Sequence, residues 1–131
     1  MKRRMIVTIA ALLLFASIVL PVSEARAAVM NIHGECSISH SGRNVSYWGV
    51  TDSGKTEDTI RVTIILWEQR NGTWYEVNRK TKTETYSDSV EAEKEYTVSG
   101  GYYYKVTATH YVCTNNVSSN GSTSTGSVWI P

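Results

Sequence analysis

The chain has 131 residues, with 13 basic and 12 acidic side chains, four Trp, eight Tyr and two Cys. So even a balance, without a basic run beyond the N-terminus, leaves no electrostatic footprint for nucleic acid or for an anionic lipid surface. The length fits one domain, and the wealth of Tyr, Trp, Thr and Val is a β composition.

Residues 1–27 read as a signal peptide. Lys2, Arg3 and Arg4 precede an apolar run from Met5 to Leu20, broken only by Thr8 and Ser17. Pro21 ends the run, and Ala25-Arg26-Ala27 has the small-x-small pattern that signal peptidase accepts. The run is shorter than the roughly 20 residues of a membrane span, so cleavage after Ala27 is expected rather than retention as an anchor. The cut removes four basic side chains and one acidic one, leaving residues 28–131 with a net charge of −2. The expectation is a secreted, extracellular protein without stable membrane insertion.

Cys36 and Cys113 are the only cysteines and stand 77 positions apart. In an oxidising compartment a disulfide between them is expected. Closing so long a loop is worth about 4.5 kcal/mol in the chain-entropy model, less any native strain. Zinc is the rival, because His33-Gly34-Glu35-Cys36 and His110-Tyr111-Val112-Cys113 share one spacing. On a strand, however, residues i and i+3 point to opposite faces, and only Gly34 offers a turn that would bring such a pair together. The disulfide is therefore preferred, with no metal and no cofactor.

The mature chain reads as strands separated by turn residues. Ile32, Cys36 and Ile38 alternate with polar neighbours and form a first strand, ended by "SHSGRN". Val45 to Val50 is a second, followed by "TDSGKTED" as a polar loop. Ile60, Val62, Ile64 and Leu66 alternate with Arg61, Thr63, Ile65 and Trp67 in the clearest strand of the chain. That strand meets Asn71-Gly72, the pair that a two-residue type I′ hairpin favours, and Thr73 to Lys82 returns. The turn predicts the pairs Leu66–Val77, Trp67–Glu76, Glu68–Tyr75 and Gln69–Trp74. Trp67 and Trp74 then lie diagonally on the face opposite Ile64 and Leu66. Glu91, Glu93 and Glu95 alternate along the next strand, as a solvated face or as the counterpart of Arg79, Lys80 and Lys82. "NNVSSNGSTSTGS" holds the turn into a last strand through Val128 and Ile130.

Within "GYYYKVTATHYVC", Tyr102, Tyr104, Val106, Ala108, His110 and Val112 share one face of a long strand entered from a Gly100-Gly101 corner. "EYTVSGGYYYKVTATHYV" resembles the E-strand, corner and F-strand of a fibronectin type III-like sandwich. The Tyr104-Lys105-Val106-Thr107-Ala108 run matches the opening of strand F. That resemblance implies a small antiparallel β-sandwich, fibronectin III/immunoglobulin-like, with Tyr104 as the corner tyrosine whose hydroxyl bonds nearby backbone. The Tyr111-Val112-Cys113 sequence invites an immunoglobulin reading, but it closes its strand instead of opening it. The whole chain also resembles small secreted proteins of unknown function from Gram-positive bacteria, which share the leader, an "NG-x-W" hairpin and the tyrosine-rich strand; this implies secretion and an all-β fold but no activity.

Enzyme chemistry finds no support. His33, His40 and His110 lie outside any catalytic signature, and His110 shares its face with Val106 and Ala108, as a core-edge histidine bonded to backbone would. Glu68 and Glu76 are near the tryptophans but fall on opposite faces, so they do not form a glycosidase pair. The expectation is a non-enzymatic interaction module whose partner is an extracellular protein or glycan. Its binding residues would be Trp67, Trp74, Gln69 and Glu76. Coplanar exposed rings beside Gln69 and Glu76 would indicate a carbohydrate-binding module, and a broader patch including Ile65 a protein partner. A small secreted toxin or inhibitor is a further alternative.

Overall fold

A computed structural model describes residues 32–131; the expected leader and the cut after Ala27 lie outside the described residues. Period-two alternation runs through most of this stretch and builds antiparallel strands without a helix among the described residues. They are β1 (His33–Ser41), β2 (Asn44–Arg70), β3 (Thr73–Thr97), β4 (Tyr102–Thr114), β5 (Val117–Ser124) and β6 (Val128–Ile130). β1 pairs with β2, β2 with β3 and β4, and β4 with both β5 and β6.

β2 and β3 far exceed the usual strand length of roughly 3–10 residues, and both bend. Their mutual pairing is interrupted between Asp52 and Glu57. There Gly54 takes a φ of 72° and its N–H bonds Asp52 Oδ1 at 2.9 Å. Tyr86, at φ 50°, marks the matching bend in β3. The stretch Thr51 to Asp58, expected as a loop, is thus a bulged corner inside one continuous strand. Partnered polar burial explains it. Thr51, Ser53 and Glu57 are buried, with Thr51 Oγ1 donating to the Arg61 carbonyl at 3.0 Å and Thr114 Oγ1 donating to Glu57 Oε2 at 2.5 Å.

The bends curl the sheet into two arms that face each other. One holds β1 with residues 44–52 and 89–97; the other holds residues 57–70 and 73–87 with β4, β5 and β6. Val45, Tyr47, Val90 and Ala92 of the first arm and Ile60, Val62, Ile64, Leu66, Val106 and Ala108 of the second form one buried cluster. Each Val, Ile or Leu among them contributes about 1.5–3 kcal/mol on burial. The arms approach closely enough to require glycine twice. A Cβ at Gly49 would collide with Ile64, and one at Gly34 with the His110 ring.

The β2–β3 turn has Asn71 at φ 52° and Gly72 at φ 80°, both in the left-handed region that a type I′ hairpin demands. Trp67 pairs with Glu76, Glu68 with Tyr75 and Gln69 with Trp74. Leu66, however, pairs with Asn78 rather than Val77, because a bulge at this point inserts Val77 as an unpaired residue. The serine- and threonine-rich segment also departs from expectation. After Asn115 and Asn116, both at positive φ, it forms a strand of its own, β5, beside β4.

The expected Cys36–Cys113 disulfide is not formed, and both thiols are free. Cys36 packs against the core, its Sγ 3.8 Å from the Val106 carbonyl oxygen. Cys113 lies seven residues further along β4 and on the other face, which at about 3.3 Å per residue is far beyond the ~7 Å Cα limit of a disulfide. The two His-x-x-Cys pairs do not converge either. His110 points inward and Cys113 outward, and no group of three His, Cys, Asp or Glu among the described residues could hold a metal ion.

Candidate interaction face

The inner face of β4 consumes its polar groups. Tyr104 is fully buried; its hydroxyl accepts the Gly100 N–H at 3.3 Å and donates to Glu68 Oε2 at 2.7 Å. Glu68, also buried, accepts a second bond from Arg70 Nε. Burial and the Glu68 carboxylate push the Tyr104 phenol up to about 12. Gly100 and Gly101, at φ 76° and 79°, turn the chain so that the Gly100 amide reaches the hydroxyl. Farther along the strand, His110 Nδ1 lies 2.8 Å from Thr51 Oγ1 and Nε2 lies 2.8 Å from Thr123 Oγ1. Two hydroxyls therefore hold the ring, where a backbone partner was expected. Burial, aided by the charge of His33, keeps His110 below its ordinary pKa. No buried side-chain polar atom among the described residues lacks a partner.

The outer face is different. Strand pairing sets Trp74 of β3, Gln69 of β2, Tyr103 of β4 and Trp129 of β6 in one row across four strands. Glu76, Trp67 and Lys105 form the next row, and Arg79, Ile65 and Thr107 the one after. The four expected binding residues Trp67, Trp74, Gln69 and Glu76 do share this face, but they are unequally free. Trp67 is half-buried and its indole N–H donates to Thr107 Oγ1 at 2.8 Å. Glu76 is held by the Arg79 guanidinium, which keeps its carboxyl below the usual range. Trp74 is half-buried under Lys105, whose Nζ stands 4.4 Å from the ring centroid.

The most available aromatics on the face lie outside the four expected binding residues. Tyr103 is 47% exposed and Trp129 50% exposed. Their rings meet edge to face, with centroids 5.2 Å apart and planes inclined at 64°. Parity along β4 already sets Tyr103 opposite Tyr104. That Trp129 lies beside it follows only from the pairing of β6 with β4. At the same end of the sheet, Arg70 reaches over Tyr75 and Tyr102, at 5.9 and 5.5 Å from their ring centroids.

Elsewhere the surface is charged and internally satisfied. Lys80, Lys82, Glu91, Glu93, Lys94 and Glu95 line an open depression of about 530 Å³ beside β3. Lys80 Nζ donates to the Glu93 carbonyl at 2.9 Å and Lys94 Nζ to the Arg79 carbonyl at 3.4 Å, so these lysines link the two halves of β3. Glu91 accepts the Trp48 indole N–H.

No family model and no curated protein matches the chain. Among solved structures, R. palustris CsgH is similar over 70% of this chain and 89% of its own, at 13% identity and a TM-score of 0.43. The E. coli curli protein CsgC is similar over 70% of this chain and 96% of its own, at 9% identity and a TM-score of 0.39. The Bacillus subtilis sporulation control protein Spo0M is similar over 71% of this chain and 47% of its own, at 8% identity and a TM-score of 0.39.

Proposed function

We propose that the chain is a secreted, non-enzymatic interaction module, a fibronectin type III-like sandwich that binds an extracellular protein through its outer aromatic row. The leader pattern of residues 1–27 supports secretion. The division of β2 and β3 between two facing arms supports the sandwich, since it supplies the three-strand and four-strand layers such a fold needs. The observation that carries the functional reading is the half-exposed pair Tyr103 and Trp129, in one row with Gln69 and Trp74. Half-exposed aromatics are costly to leave in water and are the side chains that most often anchor protein interfaces.

A protein partner is preferred to a glycan on geometry. Rings inclined at 64° do not offer the coplanar platform on which sugar rings stack, and Glu76 is occupied by Arg79. Ile65 adds apolar surface two rows away. The test is a capture experiment from culture medium with the wild-type protein and a Tyr103→Ala/Trp129→Ala variant as baits, run beside a glycan array. A protein retained by the first bait and lost from the second supports the reading. Array binding that depends on Trp67 and Trp74 would move it to carbohydrate, and no difference between the baits would end it.

A further inference from the structure

The two outer faces of the molecule carry opposite charge. Strand pairing sets Glu35, Asp52, Glu91, Glu93 and Glu95 on the outer face of the first arm, with no lysine or arginine in the same rows. The outer face of the second arm has Arg61, Arg79 and Lys105 against a single carboxylate, Glu76. That carboxylate is already held by Arg79, and Arg61 lies over the Tyr111 ring while its Nε donates to Thr83 Oγ1 at 3.1 Å. Lys105 forms no ion pair among the described residues. Its ammonium rests instead on Trp74, 4.4 Å from the ring centroid. It stands two residues from Tyr103 on the same face, about 7 Å along the strand, and so borders the aromatic row directly.

We propose that the protein segment bound by the aromatic row is acidic: an apolar side chain of the partner seats against Tyr103 and Trp129, and an Asp or Glu of the same segment pairs with Lys105. The proposal rests on the reading of the row as a protein-binding face and adds the chemistry of what it binds. Desolvation selects the charge. Whatever covers the row also strips water from Lys105, and the chain itself supplies no counter-ion. Only an opposite charge on the partner offsets that cost; a neutral segment leaves it standing and a basic one adds repulsion. A lysine suits the role, since its compact ammonium on a flexible stem can leave the Trp74 ring for a carboxylate without any movement of β4. Trp74 is then uncovered as a further apolar contact. A second copy of the chain fits less well. Its acidic face offers only Trp48 and Val50 as apolar side chains, both half-buried, and the Trp48 N–H is already bound to Glu91. Two different patches meeting head to tail also build an open array with no closed end point. A sulfated or phosphorylated polymer needs a track of cations, whereas Lys105 and the Arg61 partner Tyr111 are six residues apart on β4, about 20 Å.

Short synthetic peptides with a central Trp-Leu pair, flanked by Asp, by Asn or by Lys, test it when titrated into the secreted protein and followed by amide resonance shifts. The Asp peptide should bind best, move the Tyr103, Lys105 and Trp129 amides, and weaken as salt is raised. Lys105→Glu should weaken the Asp peptide by about tenfold and make the Lys peptide the better ligand, a reversal that a damaged fold would not produce. Arg61→Glu, farther along the same face, should change the affinity by no more than about twofold. Equal affinity for all three peptides, lost in Tyr103→Ala/Trp129→Ala, would overturn the acidic partner and leave the aromatic reading standing. An Asp preference that survives Tyr103→Ala/Trp129→Ala would overturn both. Binding by none of the peptides, retention on heparin in their place, or a mass that grows with protein concentration would each overturn the proposal.

Discussion

Tyr103 and Tyr104 are neighbours in sequence but occupy opposite environments. Tyr104 is sealed in the core with its hydroxyl bonded to Gly100 and Glu68, whereas Tyr103 stands half in solvent against the edge of Trp129. The contrast extends along β4. Val106, Ala108, His110 and Val112 are buried on the inner side, while Lys105, Thr107, Thr109 and Tyr111 remain at least partly accessible on the outer side. The same side-chain type therefore does two jobs. An inner tyrosine with every polar atom satisfied holds the arms together, and an outer one with a free rim is available to something else.

Truncation should expose that contrast most strongly on the inner side. Tyr104→Ala is expected to cost about 3–5 kcal/mol in urea unfolding, the loss typical of a buried aromatic. Tyr104→Phe removes only the hydroxyl, leaving the Glu68 carboxylate and the Gly100 amide each short of a partner; a loss of about 1–3 kcal/mol is expected in the same assay. A Tyr104→Phe protein as stable as wild type would show that the corner bonds contribute nothing.

His110 sharpens the comparison through pH. Its folded pKa lies below the ordinary 6.5, so below that pH the unfolded chain takes up a proton that the folded one refuses. Stability is therefore full above about pH 6.5 and falls as pH drops towards the folded value. Melting temperatures measured from about pH 8 to about pH 5 should decline on the acid side, and His110→Gln should flatten that decline. Cysteine chemistry should have no effect at all. With Cys36 and Cys113 on opposite faces, two thiols should alkylate in denaturant without prior reduction, and a reductant should leave the melting temperature unchanged.

Where the two faces of a strand differ in chemistry, the fold was legible in the residues. Ile60 to Leu66 alternates cleanly, Asn71-Gly72 marks its turn, and the pairs from Trp67 to Gln69 follow from that turn. Where the difference fades, so does legibility. β5 is almost wholly Ser, Thr, Asn and Gly, with no apolar face to announce a strand, and it forms because β4 offers it a hydrogen-bonding edge. The bulge at Val77 adds one residue without any local signature. The corner at residues 53–56 looks like a loop because the Thr114 hydroxyl that partners Glu57 lies far along the chain on β4, while Ser53 bonds the Lys55 carbonyl as a turn residue would. The disulfide expectation rests on compartment and count, neither of which carries strand parity. Of the aromatic row, Trp74 and Gln69 could be placed by a local turn, but Trp129 required the long-range pairing of β6.

The outer aromatics Tyr103 and Trp129 are not needed by the fold. Urea unfolding of the Tyr103→Ala and Trp129→Ala variants, each beside wild type, tests this without knowledge of any partner. Because each ring is already about half in solvent and the edge-to-face pair adds only about 0.5–1.5 kcal/mol, each truncation is expected to cost less than about 3 kcal/mol, with the cooperativity of unfolding unchanged. A loss of about 3–5 kcal/mol for either ring alone, the figure for a core aromatic, would contradict it.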